Sequence, residues 1–144
     1  MSEVHIPAVS VEDTWTKLKS DAGAVLVDVR TIAEWAYVGL PDLSVIGKQP
    51  VLVEWQGFPD NRLNMAFVER LTEALAQRGA DKGTEIFFIC RSGARSLKAA
   101  QAMAAAGYTH CRNVADGFEG PLDPNRHRGQ LGGWKAKGLP WTQG

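Results

Sequence analysis

The stretch EIFFICRSGARS, at residues 85–96, carries the strongest structural signal in the chain. Its apolar first part, residues 85–89, has the length and composition of a strand that is buried on both faces. An alanine-rich segment with high helix propensity follows at residues 95–106, and Gly107 is a typical helix stop. A buried strand, a short loop and a helix, in this order, form one unit of an α/β fold.

Similar strand and helix signals recur along the rest of the chain. Ser10 with Asp13, and Thr31 with Glu34, resemble the capping boxes that open helices. The patterns predict strands at residues 24–29, 50–55, 85–89 and 110–114 with a short edge strand around 4–6, and helices at residues 11–21, 32–39, 65–78 (capped by Asn64) and 95–106. The Gly- and Pro-rich stretch 117–144 has no clear element.

The alternation of strands and helices predicts the fold class. It implies right-handed crossovers and a mostly parallel sheet. We therefore expect a three-layer α/β fold, with a sheet of about five strands and helices on both faces. Ligands of such folds bind beyond the carboxyl ends of the strands, where the loops after Val29, Cys90 and Val114 should meet.

Composition limits the classes of protein to consider. The 144 residues, 44% hydrophobic and 22% charged, suit one globular domain over residues 1–144. Lys plus Arg and Asp plus Glu both number 16, and this balance argues against a nucleic-acid binder. Neither a secretory signal nor an apolar run near the roughly 20 residues of a membrane span is present. Two cysteines are too few for a disulfide framework, and their spacing matches no structural zinc site. We therefore expect a soluble cytoplasmic protein without metal, nucleic-acid or membrane partners.

The loop at residues 90–96 combines features that activate a thiol. Cys90 ends a strand and faces the unpaired N–H groups and positive dipole end of the next helix. Gly93 lets these N–H groups converge, and two arginines add charge, so the thiolate is favoured over the thiol. A lone cysteine is more often a small buried apolar residue, but this combination favours a nucleophile. The predicted site comprises Cys90 and the binding-loop residues Arg91, Ser92, Gly93, Ala94, Arg95 and Ser96.

Three segments of the chain resemble one family. CRSGARS at residues 90–96 is similar to the active-site loop of rhodanese-homology domains. LVDVR at residues 26–30, followed by Glu34 and Trp35, resembles the family's D-V-R…E-[FWY] segment. GWKAKGLP at residues 133–140 resembles its C-terminal G-W-x-x-x-G-L-P. The resemblance implies a rhodanese-like fold in which Cys90 takes sulfane sulfur from thiosulfate or a persulfide and passes it to a thiol or protein cysteine, without a metal or organic cofactor.

Two other functions stay open on the same fold. Related dual-specificity phosphatases and arsenate reductases place one more residue between cysteine and arginine than the four that separate Cys90 from Arg95. The tighter ring should suit a persulfide sulfur better than a phosphoryl group. Some rhodanese-like modules are non-catalytic and serve protein binding or sulfur sensing, but these often lack the cysteine.

The chain also departs from the family pattern. The family's H-I-P-G-A segment is replaced by VGLPDL at residues 38–43, without the histidine. An insertion at residues 121–132 follows the last strand and should lie at the active-site rim, where Arg126 and Arg128 would bind an anionic donor or a partner, or simply face solvent.

Residues outside the loop are assigned supporting roles. Asp28 and Arg30, at the end of a buried strand, should form an ion pair that supports the active-site loop. Trp35 and Trp134 are interpreted as packing residues, because large aromatic side chains dominate cores. Cys111, inside a strand, should be an inert buried thiol.

Overall fold

Five parallel strands form the central sheet of the computed structural model, which describes residues 5–57, 60 and 62–143. In chain order the strands are β1 (Ala8–Val9), β2 (Val25–Asp28), β3 (Leu40–Pro41), β4 (Val51–Leu52), β5 (Ile86–Ile89), β6 (Cys111–Val114) and β7 (Trp141–Thr142). The sheet has the order β1-β6-β5-β2-β4, and each strand is parallel to its neighbours. Strands β3 and β7 form a separate antiparallel pair.

Helices cover both faces of this sheet, which confirms the predicted three-layer architecture. They are α1 (Val11–Ser20), α2 (Ile32–Tyr37), α3 (Phe67–Gln77), α4 (Ala94–Ala105) and the short α5 (Gly133–Ala136), with one 3-10 turn at Ser44–Ile46. None of the helices that the described residues form is long and apolar enough to cross a membrane.

The core consists of two apolar layers, one on each face of the sheet. Val27 and Phe88 point into the layer that contains α3 and α4. Leu26 and Phe87 point into the opposite layer, which contains α1 and Trp134 of α5. Side chains of a strand alternate between faces, so burial on both sides produces the continuous apolar runs of β2 and β5.

Local capping signals position the first two helices. The Ser10 hydroxyl accepts the Asp13 N–H at 3.0 Å at the start of α1. At the start of α2, Thr31 and Glu34 form a complete capping box, with each side chain bonded to the other residue's backbone N–H. Both predicted helix starts are therefore confirmed.

Two predicted boundaries in the N-terminal half were wrong. The edge strand is β1, at Ala8–Val9, where it pairs with β6. Ile6 lies before β1, and residue 4 lies outside the described residues. The predicted strand 50–55 is reduced to Val51–Leu52, which is an edge strand with one neighbour. Beyond it, Val53 and Trp55 still donate their N–H groups to the Asp28 and Val29 carbonyls, but regular pairing has ended.

Helix α3 begins later than the sequence pattern indicated. Asn64 accepts the Ala66 N–H and donates its own amide to the Glu54 carbonyl at 2.9 Å. The residue therefore stabilises the turn that precedes the helix, which starts at Phe67.

The C-terminal stretch, predicted to lack elements, contains α5 and β7. Trp134 of α5 is fully buried, packs edge-on against Trp15 at 5.9 Å and donates its indole N–H to the Pro140 carbonyl. Strand β7 then pairs with β3. Helix α5 depends on the burial of Trp134, and β7 depends on pairing with a strand far away in the sequence. Local propensity therefore did not reveal either element.

Candidate active site

Cys90 lies directly beyond β5, the middle strand of the sheet, at the floor of a surface cavity. Its exposed fraction is 1%, and the helix α4 begins four residues later. The Sγ atom accepts the Gly93 N–H at 3.2 Å and the Ser96 N–H at 3.4 Å. The Ser96 hydroxyl lies 3.2 Å from the same sulfur. The loop thus curls around the sulfur, and its donors form a small anion-binding nest.

Gly93 is required at its position by both conformation and space. Its φ of 104° is in the left-handed region, and a Cβ there would collide with the Ala115 carbonyl. The chain after β6 holds the loop from behind through hydrogen bonds to its backbone. Phe118 donates its N–H to the Cys90 carbonyl at 2.8 Å, and Glu119 donates to the Arg91 carbonyl at 3.0 Å. The loop geometry therefore depends on residues far along the chain.

Arg95 is paired with Glu34, a carboxylate that the sequence pattern placed in a capping box and a family motif but not in the active site. Its guanidinium donates to both oxygens of Glu34, at 2.7 and 3.0 Å. Burial raises the pKa of Glu34, but the hydrogen bonds and charge of Arg95 and the Thr31 N–H outweigh it and hold that pKa below the usual value. Arg95 therefore lines the cavity as half of an ion pair rather than as a free cation.

The cavity above Cys90 measures about 780 Å³, which exceeds the needs of a small anion. Its lining comes from the loop, from α2, and from residues that follow β6: Thr31, Ala33, Glu34, Tyr37, Val38, Gln56, Cys90, Arg91, Ser92, Ala94, Arg95, Glu119 and Arg128. Arg91 is exposed at this site. Gly93 and Ser96 are buried beneath it.

Of the two arginines assigned to the insertion, only Arg128 reaches the cavity. It donates to the Gly120 carbonyl at 2.8 Å and is half-buried. Arg126 is exposed and does not line the cavity, which fits the solvent-facing alternative. Its backbone has a φ of 64° and its N–H is bonded to the Asp123 carbonyl, which places it in a tight turn.

Asp28 and Arg30 form the predicted ion pair, and both side chains are fully buried. The Arg30 Nη2 lies 2.6 Å from Asp28 Oδ2 and also donates to the Gly39 carbonyl at 2.8 Å. The guanidinium stacks on the Phe118 ring at 4.2 Å. Since the Phe118 N–H bonds the Cys90 carbonyl, the pair reaches the active-site loop through Phe118 rather than directly.

The remaining candidates lie away from the cavity. Cys111 pairs with Ile86 at the start of β6, whereas Cys90 lies four residues beyond Ile86, or roughly 13 Å along a strand. Burial raises the pKa of the Cys111 thiol to about 11, as expected for an inert thiol. Trp134 is a core residue, as predicted, and Trp35 is half-buried outside the cavity.

No group of three or more His, Cys, Asp or Glu side chains within the described ranges is arranged as a metal site.

A cysteine loop between the middle strand of a five-stranded parallel sheet and the following helix is the arrangement that the resemblance to rhodanese-homology domains implies. The family model described as the STR4 middle domain matches residues 7–144, and the chain belongs to this family.

Individual relatives agree with this assignment. The crystal structure of Rv0390 from Mycobacterium tuberculosis superposes with a TM-score of 0.86 and 43% identity, covering 98% of this chain and all of that one. An uncharacterised protein of Rickettsia prowazekii is 41% identical over 118 residues, 82% of each chain. Thiosulfate sulfurtransferase 18 of Arabidopsis thaliana is 33% identical over 111 residues, 76% of this chain and 75% of that protein.

Proposed function

We propose that this protein is a sulfurtransferase that carries sulfane sulfur as a persulfide on Cys90. The observation that carries the proposal is the nest at the cavity floor, where the Gly93 and Ser96 N–H groups point at Sγ. Such donors favour negative charge on sulfur. Arg91 and Arg128, on the cavity wall, supply the charge that an anionic donor needs. The sulfurtransferase named among the relatives supports the same chemistry.

The proposed reaction is a double displacement. The Cys90 thiolate attacks the outer sulfur of thiosulfate, a new S–S bond forms, and sulfite leaves with the electron pair of the broken S–S bond. The negative charge then lies on the outer persulfide sulfur, where backbone N–H groups of residues 91–96 stabilise it by the logic of an oxyanion hole. An acceptor thiolate or cyanide takes this outer sulfur, and Cys90 leaves as the thiolate.

Donor, acceptor and compartment belong to the same proposal. The donor is thiosulfate or a persulfide, and the acceptor is a thiol or a protein cysteine. We place the protein in the cytoplasm, because Cys90 and Cys111 are both free and a reducing compartment keeps the nucleophile available.

Steady-state kinetics with thiosulfate and cyanide test this function. We expect parallel double-reciprocal lines, because sulfite leaves before cyanide reacts.

Hydrolysis of an aryl phosphate should stay at background, since only four residues separate Cys90 from Arg95. A variant with one extra glycine between Gly93 and Ala94 should lose sulfur transfer, because the added residue displaces the N–H groups from the sulfur. Efficient phosphate hydrolysis without sulfur transfer would replace this proposal with a phosphatase.

A further inference from the structure

The Ser96 hydroxyl, beside the Cys90 sulfur, has a second and closer partner. It lies 2.6 Å from Asn113 Oδ1 and 3.2 Å from both Cys90 Sγ and the Gly93 carbonyl. Cys90, Ser96 and Asn113 are all buried. Asn113 lies on β6 and is not part of the active-site loop. Its amide oxygen reaches the nucleophile through the Ser96 hydroxyl, and its amide nitrogen bonds the loop at Gly93.

The orientation of the Asn113 amide determines where the Ser96 proton goes. The amide nitrogen donates to the Gly93 carbonyl at 3.1 Å. A carbonyl only accepts, so the nitrogen must face Gly93 and the oxygen must face Ser96. The amide oxygen also only accepts, and the short contact assigns the hydroxyl proton to it.

This proton placement opposes ionisation of Cys90. While the Ser96 hydroxyl donates its hydrogen bond to Asn113 Oδ1, a lone pair of its oxygen faces Sγ and can accept the S–H of the thiol. To bond a thiolate instead, the hydroxyl must rotate and leave the buried Asn113 oxygen without a partner, which is unfavourable. The Ser96 hydroxyl affects the charge of a persulfide less, because that charge lies on the outer sulfur, one S–S bond or about 2 Å farther from the hydroxyl.

We propose that Asn113 is a positioning residue that restrains free Cys90 as the thiol by holding the Ser96 proton. This restraint acts against the N–H groups and the arginines that favour the thiolate. It protects Cys90 from oxidation while it carries no sulfur, because a thiol is oxidised less readily than a thiolate. The inference goes beyond the proposed function, because it concerns the free thiol and holds whichever donor loads it.

The test is the pH at which alkylation of Cys90 by iodoacetamide reaches half its maximal rate, followed by mass spectrometry of the Cys90 peptide. Asn113→Ala should lower this pH by about one unit, because the freed hydroxyl makes a charge-assisted hydrogen bond to the thiolate. The Gly93 carbonyl remains as a competing acceptor at 3.2 Å, the same distance as Sγ, but it is neutral, and a hydrogen bond to the charged thiolate is stronger. Ser96→Ala is the matched background, and adding Asn113→Ala to it should produce no further change.

Other charges that face the cavity are the same in all variants: Glu34, Arg91, Arg95, Glu119 and Arg128. A purely structural role of Asn113 predicts the opposite result, since a loosened loop would weaken the N–H contacts and raise the midpoint. An unchanged or higher midpoint in Asn113→Ala, or a decrease that persists with Ser96→Ala, overturns the proposal. If the alanine variant does not fold, Asn113→Leu, which conserves volume, replaces it in the same measurement and should lower the midpoint in the same way. Alkylation requires no sulfur transfer, so this test does not depend on the sulfurtransferase assignment.

Discussion

Replacing Cys90 by serine should abolish sulfur transfer from thiosulfate to cyanide, a loss of at least about a thousandfold. Serine cannot form the persulfide, and its hydroxyl is a far weaker nucleophile than a thiolate in the same nest. The measurement is the steady-state rate at saturating thiosulfate. Because Sγ is the atom that the Gly93 and Ser96 N–H groups contact, no other thiol is placed to substitute for it.

Cys111→Ser is the matched control for this loss. Cys111 is buried at the opposite end of the neighbouring strand, and its pKa of about 11 keeps it protonated at neutral pH. The control should retain most of the activity when circular dichroism confirms that it is folded. Comparable activity in the Cys90 variant, or loss confined to the folded Cys111 variant, would contradict the assignment of the nucleophile.

The second large effect is expected on stability, from Asp28→Asn. The change leaves the fully buried Arg30 charge without its counter-ion, and breaking a buried pair from one side costs about 3–5 kcal/mol. One Arg30 nitrogen, Nη1, already lacks a hydrogen-bond partner among the described residues, so the guanidinium has little alternative compensation. Urea denaturation should show this decrease in the free energy of unfolding as a lower midpoint with a similar slope.

Asp60→Asn is the control for the buried pair. Asp60 and Arg62 form an exposed pair at 4.0 Å, with side chains 64% and 85% exposed, and such pairs add little stability. The control should therefore unfold at nearly the same urea concentration as the wild type. An equally small effect of Asp28→Asn would contradict the claim that the buried pair is a major contributor to stability.

The sequence predicted what short-range chemistry determines. Ser10 and Thr31 cap helices through hydrogen bonds to residues three positions away, and the structure has both caps. Strands β2 and β5 were recognisable because burial on both faces requires continuous apolar runs. Strand β7 was not recognisable, since it exists only by pairing with β3, about a hundred residues earlier in the chain.

The candidate site divides in the same way. The Cys90 loop follows from a local pattern of strand, glycine, arginines and helix. Glu34 was identified as a capping residue, but its bond to Arg95 spans 61 positions and left no local signal. Asn113 was hidden for the same reason, because its contact with Ser96 depends on the register of β6 beside β5.

The most direct test of the central claim is the intact mass of the protein after incubation with thiosulfate. We predict a gain of the mass of one sulfur atom, located on the Cys90 peptide, removed by cyanide and absent in Cys90→Ser. The same gain should persist in Cys111→Ser. No gain in mass, or a gain that survives replacement of Cys90, would contradict the account.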